Sequence, residues 1–177
     1  MTEAQHEMGR VFNVKAEAIG QPGSRHFRLT IEARNGGAAV VWLEKGQLFN
    51  LAVAIKRIIA TVEDQGKAGT GEGADAESLG SSSYLGSNSM EFQVGKMAIG
   101  YDDRSALYII AGYDTETEED AIPVVSLVAT ADQIDSLADE AFVVCAAGRP
   151  NCPLCGAPMG QEAHVCPRHN GHKMPEA

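Results

Sequence analysis

The sequence predicts an α+β protein: two duplicated βββα units whose strands form one antiparallel sheet with both helices on one face, ending in a short cysteine- and histidine-rich hairpin. Three observations predict it. Two blocks of period-2 apolar alternation each run into a stretch of helical periodicity. A segment almost free of large apolar side chains separates the blocks. The blocks also resemble each other in residue order.

Residues 1–9 read as a frayed end. Residues 11–19 alternate well enough for a strand, with Val14 and Ala16 on one face. Gly20-Gln21-Pro22-Gly23 is a turn, because Pro fits its second position and Gly accepts the positive φ of a type II turn at the third. Residues 25–33 form the second strand, with Phe27, Leu29 and Ile31 on its buried face, and Asn35-Gly36-Gly37 turns the chain into a third strand at 38–43. Residues 47–62 are helical, since Leu48, Leu51, Ala52, Ile55, Ile58 and Ile59 make one apolar stripe.

Residues 64–90 are dominated by Gly, Ser, Ala and acids and read as a flexible linker. The pattern then restarts. Strands are expected at 91–101, 105–111 and 122–129, with a turn at 102–104, an acidic loop at 113–121 and a helix at 131–147. Thr130 is its expected N-cap, completed as a capping box by Gln133. The predicted organisation is a first repeat at 1–63, the linker at 64–90, a second repeat at 91–148 and a tail at 149–177.

Duplication rests on two matches that recur in the same order. Residues 11–20 align without a gap with 91–100, pairing Phe12/Phe92, Val14/Val94, Ala18/Ala98, Ile19/Ile99 and Gly20/Gly100 as identities. Both helices open alike, Gln47-Leu48-x-x-Leu51-Ala52 against Gln133-Ile134-x-x-Leu137-Ala138. Two such units bury little separately, so a shared sheet is expected.

The net charge of −10 argues against a nucleic-acid or anionic-membrane surface, which needs a basic face. No stretch approaches a membrane span, and the polar, acidic start lacks the apolar core of a signal peptide. A cytoplasmic protein with reduced thiols is expected, and there a C-x-x-C cluster beside histidines points to metal rather than to a disulfide.

That cluster is the tail. Residues 151–172 hold three of the four cysteines and three of the five histidines. In Cys152-Pro153-Leu154-Cys155-Gly156 a tight turn can aim two thiolates at one ion. Cys166 supplies a third, and a structural zinc needs one more ligand to close its tetrahedron. His169 would make Cys166-Pro-Arg-His169 mirror Cys152-Pro-Leu-Cys155. His164, two residues from Cys166, would lie on the same side of a strand. Three thiolates and an imidazole leave no open position, so the zinc would be structural rather than catalytic. Cys145 falls within the second helix and reads as a small buried hydrophobe.

Gly148-Arg149-Pro150-x-Cys152-Pro153-x-Cys155-Gly156, followed by His164-x-Cys166-Pro167-Arg168-x-Asn170-Gly171, resembles the C-terminal signature of an uncharacterised, mainly actinobacterial DUF3090-like family. Gly20-Gln21-Pro22-Gly23-x-Arg25-x-Phe27 and Trp42-Leu43-Glu44-Lys45-x-Gln47 are similar to its other motifs. The resemblance implies His164 as fourth ligand with His169 as the alternative, and brings no established activity.

Outside the tail, Arg25 could clamp an anion beside exposed backbone N–H groups, with His26 or Arg28 assisting, or could simply start a strand. Glu44, Lys45 and Gln47 are either a helix start capped by Glu44 or a polar cluster facing that loop. Neither stretch is a known phosphate cradle. Two functions follow: an interaction module, stabilised by zinc, that binds a protein partner, or a protein acting on a small phosphorylated or carboxylated ligand near Arg25 and Lys45. The sequence leaves the oligomeric state open.

Overall fold

The structure is a computed structural model that describes residues 4–21, 23–67, 89–114 and 122–148. In chain order its elements are β1 (His6–Ile19), β2 (His26–Ala33), β3 (Ala38–Leu43), α1 (Lys45–Asp64), β4 (Ser89–Gln93), β5 (Lys96–Asp102), β6 (Leu107–Tyr113), β7 (Val125–Ala129) and α2 (Ala131–Ala146). The alternation in 25–33 works as expected: Phe27, Leu29, Ile31 and Ala33 are all buried. The turn before β2 closes with Ser24 N–H donating to Gln21 O at 2.9 Å. Gly23 carries the positive φ of +101° that its position demands.

The seven strands form one mixed sheet in the order β4-β3-β2-β1-β7-β6-β5. β4 and β5 stand at opposite ends of that order, yet only Val94 and Gly95 separate them in the chain. Val94 N–H donates to Trp42 O of β3 at 3.0 Å, and Gly95 N–H donates to Tyr113 O of β6 at 2.9 Å. The sheet therefore closes on itself through a single segment that changes partner at its middle. β1 does the same: His6–Arg10 runs parallel to β7, and from Val11 onward the strand pairs antiparallel with β2. A bulge in β1 at the switch accommodates one extra residue, with Gly9 at φ +64°.

An all-antiparallel sheet is thus corrected. The β1–β7 and β3–β4 joints are parallel, because each half lays the front of its first strand along the last strand of the other half. A parallel neighbour needs a crossover, and α1 with the segment after it supplies that between β3 and β4. The expected frayed end is corrected as well, since β1 starts at His6. Its polar front escapes an alternation argument because pairing with β7, some 120 residues away, holds it in place. The stretch 91–101, expected as one strand, is divided at Val94-Gly95 by the change of partner. α1 extends to Asp64 and β4 begins at Ser89, while 68–88 of the expected linker lie outside the described residues.

The helices pack on each other, and each packs on the first strand of the opposite half, α1 on β5 and α2 on β1. Lys56 Nζ ties the pair from outside, 2.6 Å from Asp135 and 2.7 Å from Asp139. Between sheet and helices lies one core centred on Leu29, Ile31, Leu48, Ile55, Ile134 and Leu137, all essentially inaccessible. Each contributes about 1.5–3 kcal/mol over an exposed position. The two halves are interlocked, so neither completes a sheet or covers its helix by itself.

Candidate functional site

The strand register brings the sequence-predicted residues outside the tail to one end of the barrel. Ile19 pairs with His26, and Phe27 pairs with Leu43. The 20–25 loop and the 44–47 helix start therefore leave the sheet side by side. Gly20 holds φ +104°, and a Cβ there would collide with the Ser24 carbonyl oxygen, so the tight course of this loop requires glycine. Arg25 is half-buried and His26 exposed at its exit.

Arg28, the suggested assistant, is already engaged. Its Nε donates to Glu17 at 2.8 Å, and its guanidinium lies over the Trp42 ring, 5.7 Å from the centroid. Thr30 Oγ1 donates to the same Glu17 carboxylate at 3.0 Å. Burial raises the Glu17 pKa, but the hydrogen bonds from Thr30 and Arg28 and the Arg28 charge outweigh it, leaving the carboxyl below its ordinary range.

Glu44 is the N-cap of α1, with extended backbone at φ −84° and ψ 159°. Gln47 Oε1 accepts the Glu44 N–H at 2.7 Å, and its Nε2 donates to Val94 O at 3.1 Å and Gly95 O at 2.7 Å. Gln47 thus fastens the helix start to the switch point of the β4–β5 segment. Gln133 does the equivalent at α2: Oε1 accepts the Thr130 N–H at 3.0 Å, and Nε2 donates to Val11 O and Phe12 O, both at 3.1 Å. Sequence reasoning finds the capping box at Thr130 but misses what the amide nitrogen does. The available signal is a Gln three places after each N-cap, opposite a strand that loses its neighbour.

Lys45 is exposed and sits at the foot of α2. Its Nζ lies 3.5 Å from where a Cβ on Gly148 would stand. Its carbonyl oxygen is 3.8 Å from Cys145 Sγ, a weak thiol contact. A cation there meets the negative end of the α2 dipole. Cys145 is buried, and burial pushes its thiol up against the opposing influence of Lys45. It is held as the thiol, in keeping with the packing role expected of it.

α2 runs alongside β1, with Gln133 at Val11 and Phe12 and Glu140 Oε2 accepting Ala16 N–H at 3.2 Å. From Glu140 the helix advances about 12 Å to Gly148, and β1 advances about 13 Å from Ala16 to Gly20. The helix end is level with the Gly20 loop. The tail accordingly leaves the barrel at the end that carries Arg25 and Lys45. Cys152, Cys155, His164, Cys166 and His169 lie outside the described residues. Among the described residues no three His, Cys, Asp or Glu side chains are grouped to hold a metal, and no helix is long and apolar enough to cross a membrane.

Over residues 6–166 the sequence matches the family described as protein of unknown function DUF3090. The chain belongs to that family. The match includes both ends of the interlocked barrel and, in the tail, Cys152, Cys155, His164 and Cys166; it stops short of His169. No curated protein and no solved structure matches.

Proposed function

We propose that this DUF3090 protein is a cytoplasmic, zinc-binding interaction module whose tail is closed by one structural zinc. Cys152, Cys155 and Cys166 supply three thiolates and His164 the imidazole, with His169 as the alternative. The observation that carries this reading is the spacing: two cysteines three apart around a proline, then His164 nine residues after Cys155 and Cys166 two residues further on, in a Pro/Gly-rich stretch. The resemblance of the tail to the family's C-terminal signature favours His164 over His169. A closed four-ligand site holds a short hairpin in shape without a core of its own. The hairpin then presents Arg149, Arg168 and Lys173 as a locally basic surface on an acidic body, suited to an acidic protein partner rather than to nucleic acid.

We also propose that the βββα halves arose by duplication. The paired roles of Gln47 and Gln133 and the reciprocal parallel joints support this more strongly than the sequence identities do.

A second reading is a small-ligand site for a phosphorylated or carboxylated metabolite. Its support is the placement of Arg25 and Lys45 at one end of the barrel. Glu44 and Gln47 serve the helix start, which leaves the two cations as the groups available to an anion.

Metal content by mass spectrometry on the full chain, wild type beside Cys152→Ser, with a thermal melt of each, tests the principal reading. One zinc per chain, lost in the variant with a fall in melting temperature, is expected. A zinc-free wild type, prepared reduced and without chelators, would overturn it.

A further inference from the structure

The outer seam between the helices changes character along its length. Its middle is ionic, with Lys56 between Asp135 and Asp139. Toward the end of α2 it becomes apolar: the Phe49 and Phe142 rings meet edge to face at 5.5 Å. Phe49 is 47% exposed, and Val143, four residues after Asp139 and so on the same side of α2, is 68% exposed. Exposed single hydrophobes are ordinary, but here an aromatic pair and a neighbouring Val form one apolar face. That face lies on the last turns of α2, a few residues before the tail leaves at position 149.

We propose that this face is the seat of the chain's own zinc hairpin, which folds back against Phe49, Phe142 and Val143. The proposal rests on the zinc reading above, because a hairpin held by four ligands is what would present a fixed surface. Three arguments favour the tail over other occupants. The segment starts beside the patch, so docking carries little loop-closure cost. Residues 149–177 bring Leu154, Met159 and Val165, enough apolar side chains to cover an aromatic pair yet too few for a core of their own. The patch is also small. Three partly exposed side chains offer a few hundred Å² at most, against the roughly 800 Å² per partner of a stable complex between two copies.

The test uses the full chain loaded with zinc. Zinc transfer to an excess of chelator is timed for wild type, Val143→Glu and Ile122→Glu. Ile122 is 52% exposed and belongs to neither helix, so it controls for adding a carboxylate at an exposed apolar site. Phe49→Ser repeats the test from α1. Docking predicts zinc release several-fold faster in Val143→Glu and Phe49→Ser, with Ile122→Glu like wild type. Equal release rates in a chain that holds one zinc would overturn the docking and leave the zinc site standing. A wild type that holds no zinc would overturn both. A patch that instead joins two copies would show as a dimer dispersed by Val143→Glu in light scattering, and that too overturns the proposal.

Discussion

Gln47 Nε2 lies 2.7 Å from Gly95 O, while Oε1 of the same side chain lies 2.7 Å from the Glu44 backbone nitrogen. One amide thus satisfies an orphan donor at the start of α1 and an orphan acceptor where the β4–β5 segment changes partners. The Glu44 N–H is exposed, but the Val94 and Gly95 carbonyls that Gln47 links to it are part-buried, where an unpaired acceptor is costly. Gln133 repeats the arrangement against Val11 and Phe12.

Gln47→Ala and Gln133→Ala should each cost about 2 kcal/mol, from loss of the cap and from carbonyls left unpaired. Gln47→Glu should cost at least as much, since a carboxylate cannot donate to Val94 O and Gly95 O. Urea unfolding of the three variants measures this. A loss under the scatter of the wild-type value would remove the amide clamp from the account.

Gly112 sits where β6 passes the closure. A Cβ there would stand 2.9 Å from Val94 Cγ1 and 3.1 Å from Val125 Cγ1. Gly112→Ala should destabilise by about 1–3 kcal/mol through overpacking. Pairing it with Val94→Ala, which removes the nearer methyl, should recover part of the loss. Stability of the single and double variants, compared in a mutant cycle, decides it.

The Glu17 carboxyl is held below its ordinary range of 4.5 in the folded protein. Such a group contributes stability that is present above the unfolded pKa and lost as pH falls through the lower folded value. Both Glu17 and Arg28 are partly exposed, so the contribution is modest, below about 1 kcal/mol. Glu17→Gln should therefore trail the wild type at pH 7 and converge with it as the pH drops well below 4.5. Melting temperatures across that range test the sign. A gap that widens on acidification would contradict it.

Much of the fold was legible locally. The β2 alternation, the positive φ at Gly23, both amphipathic helices and the Thr130–Gln133 box all follow from residues within a few places of one another. The closure did not, because Phe92 and Ile99 read as one alternating run, and nothing nearby reveals that Val94 faces Trp42 while Gly95 faces Tyr113. The repeat was visible in outline but not in register. The clamps put Val94 opposite the role of Val11, three places from the gapless match, and the aligned glycines differ: Gly20 needs its positive φ, whereas Gly100 lies within β5 with open space at its α-carbon. Of the site residues, Gln47 reads in the sequence as either a helix-start group or a member of a polar ligand cluster, and it serves as a clamp at the helix start. Side-chain amides look alike in a sequence whether they meet a ligand or a backbone carbonyl.

The fourth ligand can be separated from the first three. In the cobalt-substituted protein, His164→Ala should shift the tetrahedral absorption bands and weaken binding, and His169→Ala should leave both unchanged. The reverse pattern would assign the ligand to His169.

The most direct measurement is the zinc stoichiometry of the reduced full chain beside Cys166→Ser. The account predicts one equivalent of zinc in the wild type and none retained through gel filtration in the variant. An equal metal content in the two proteins, whether one equivalent or none, would contradict it.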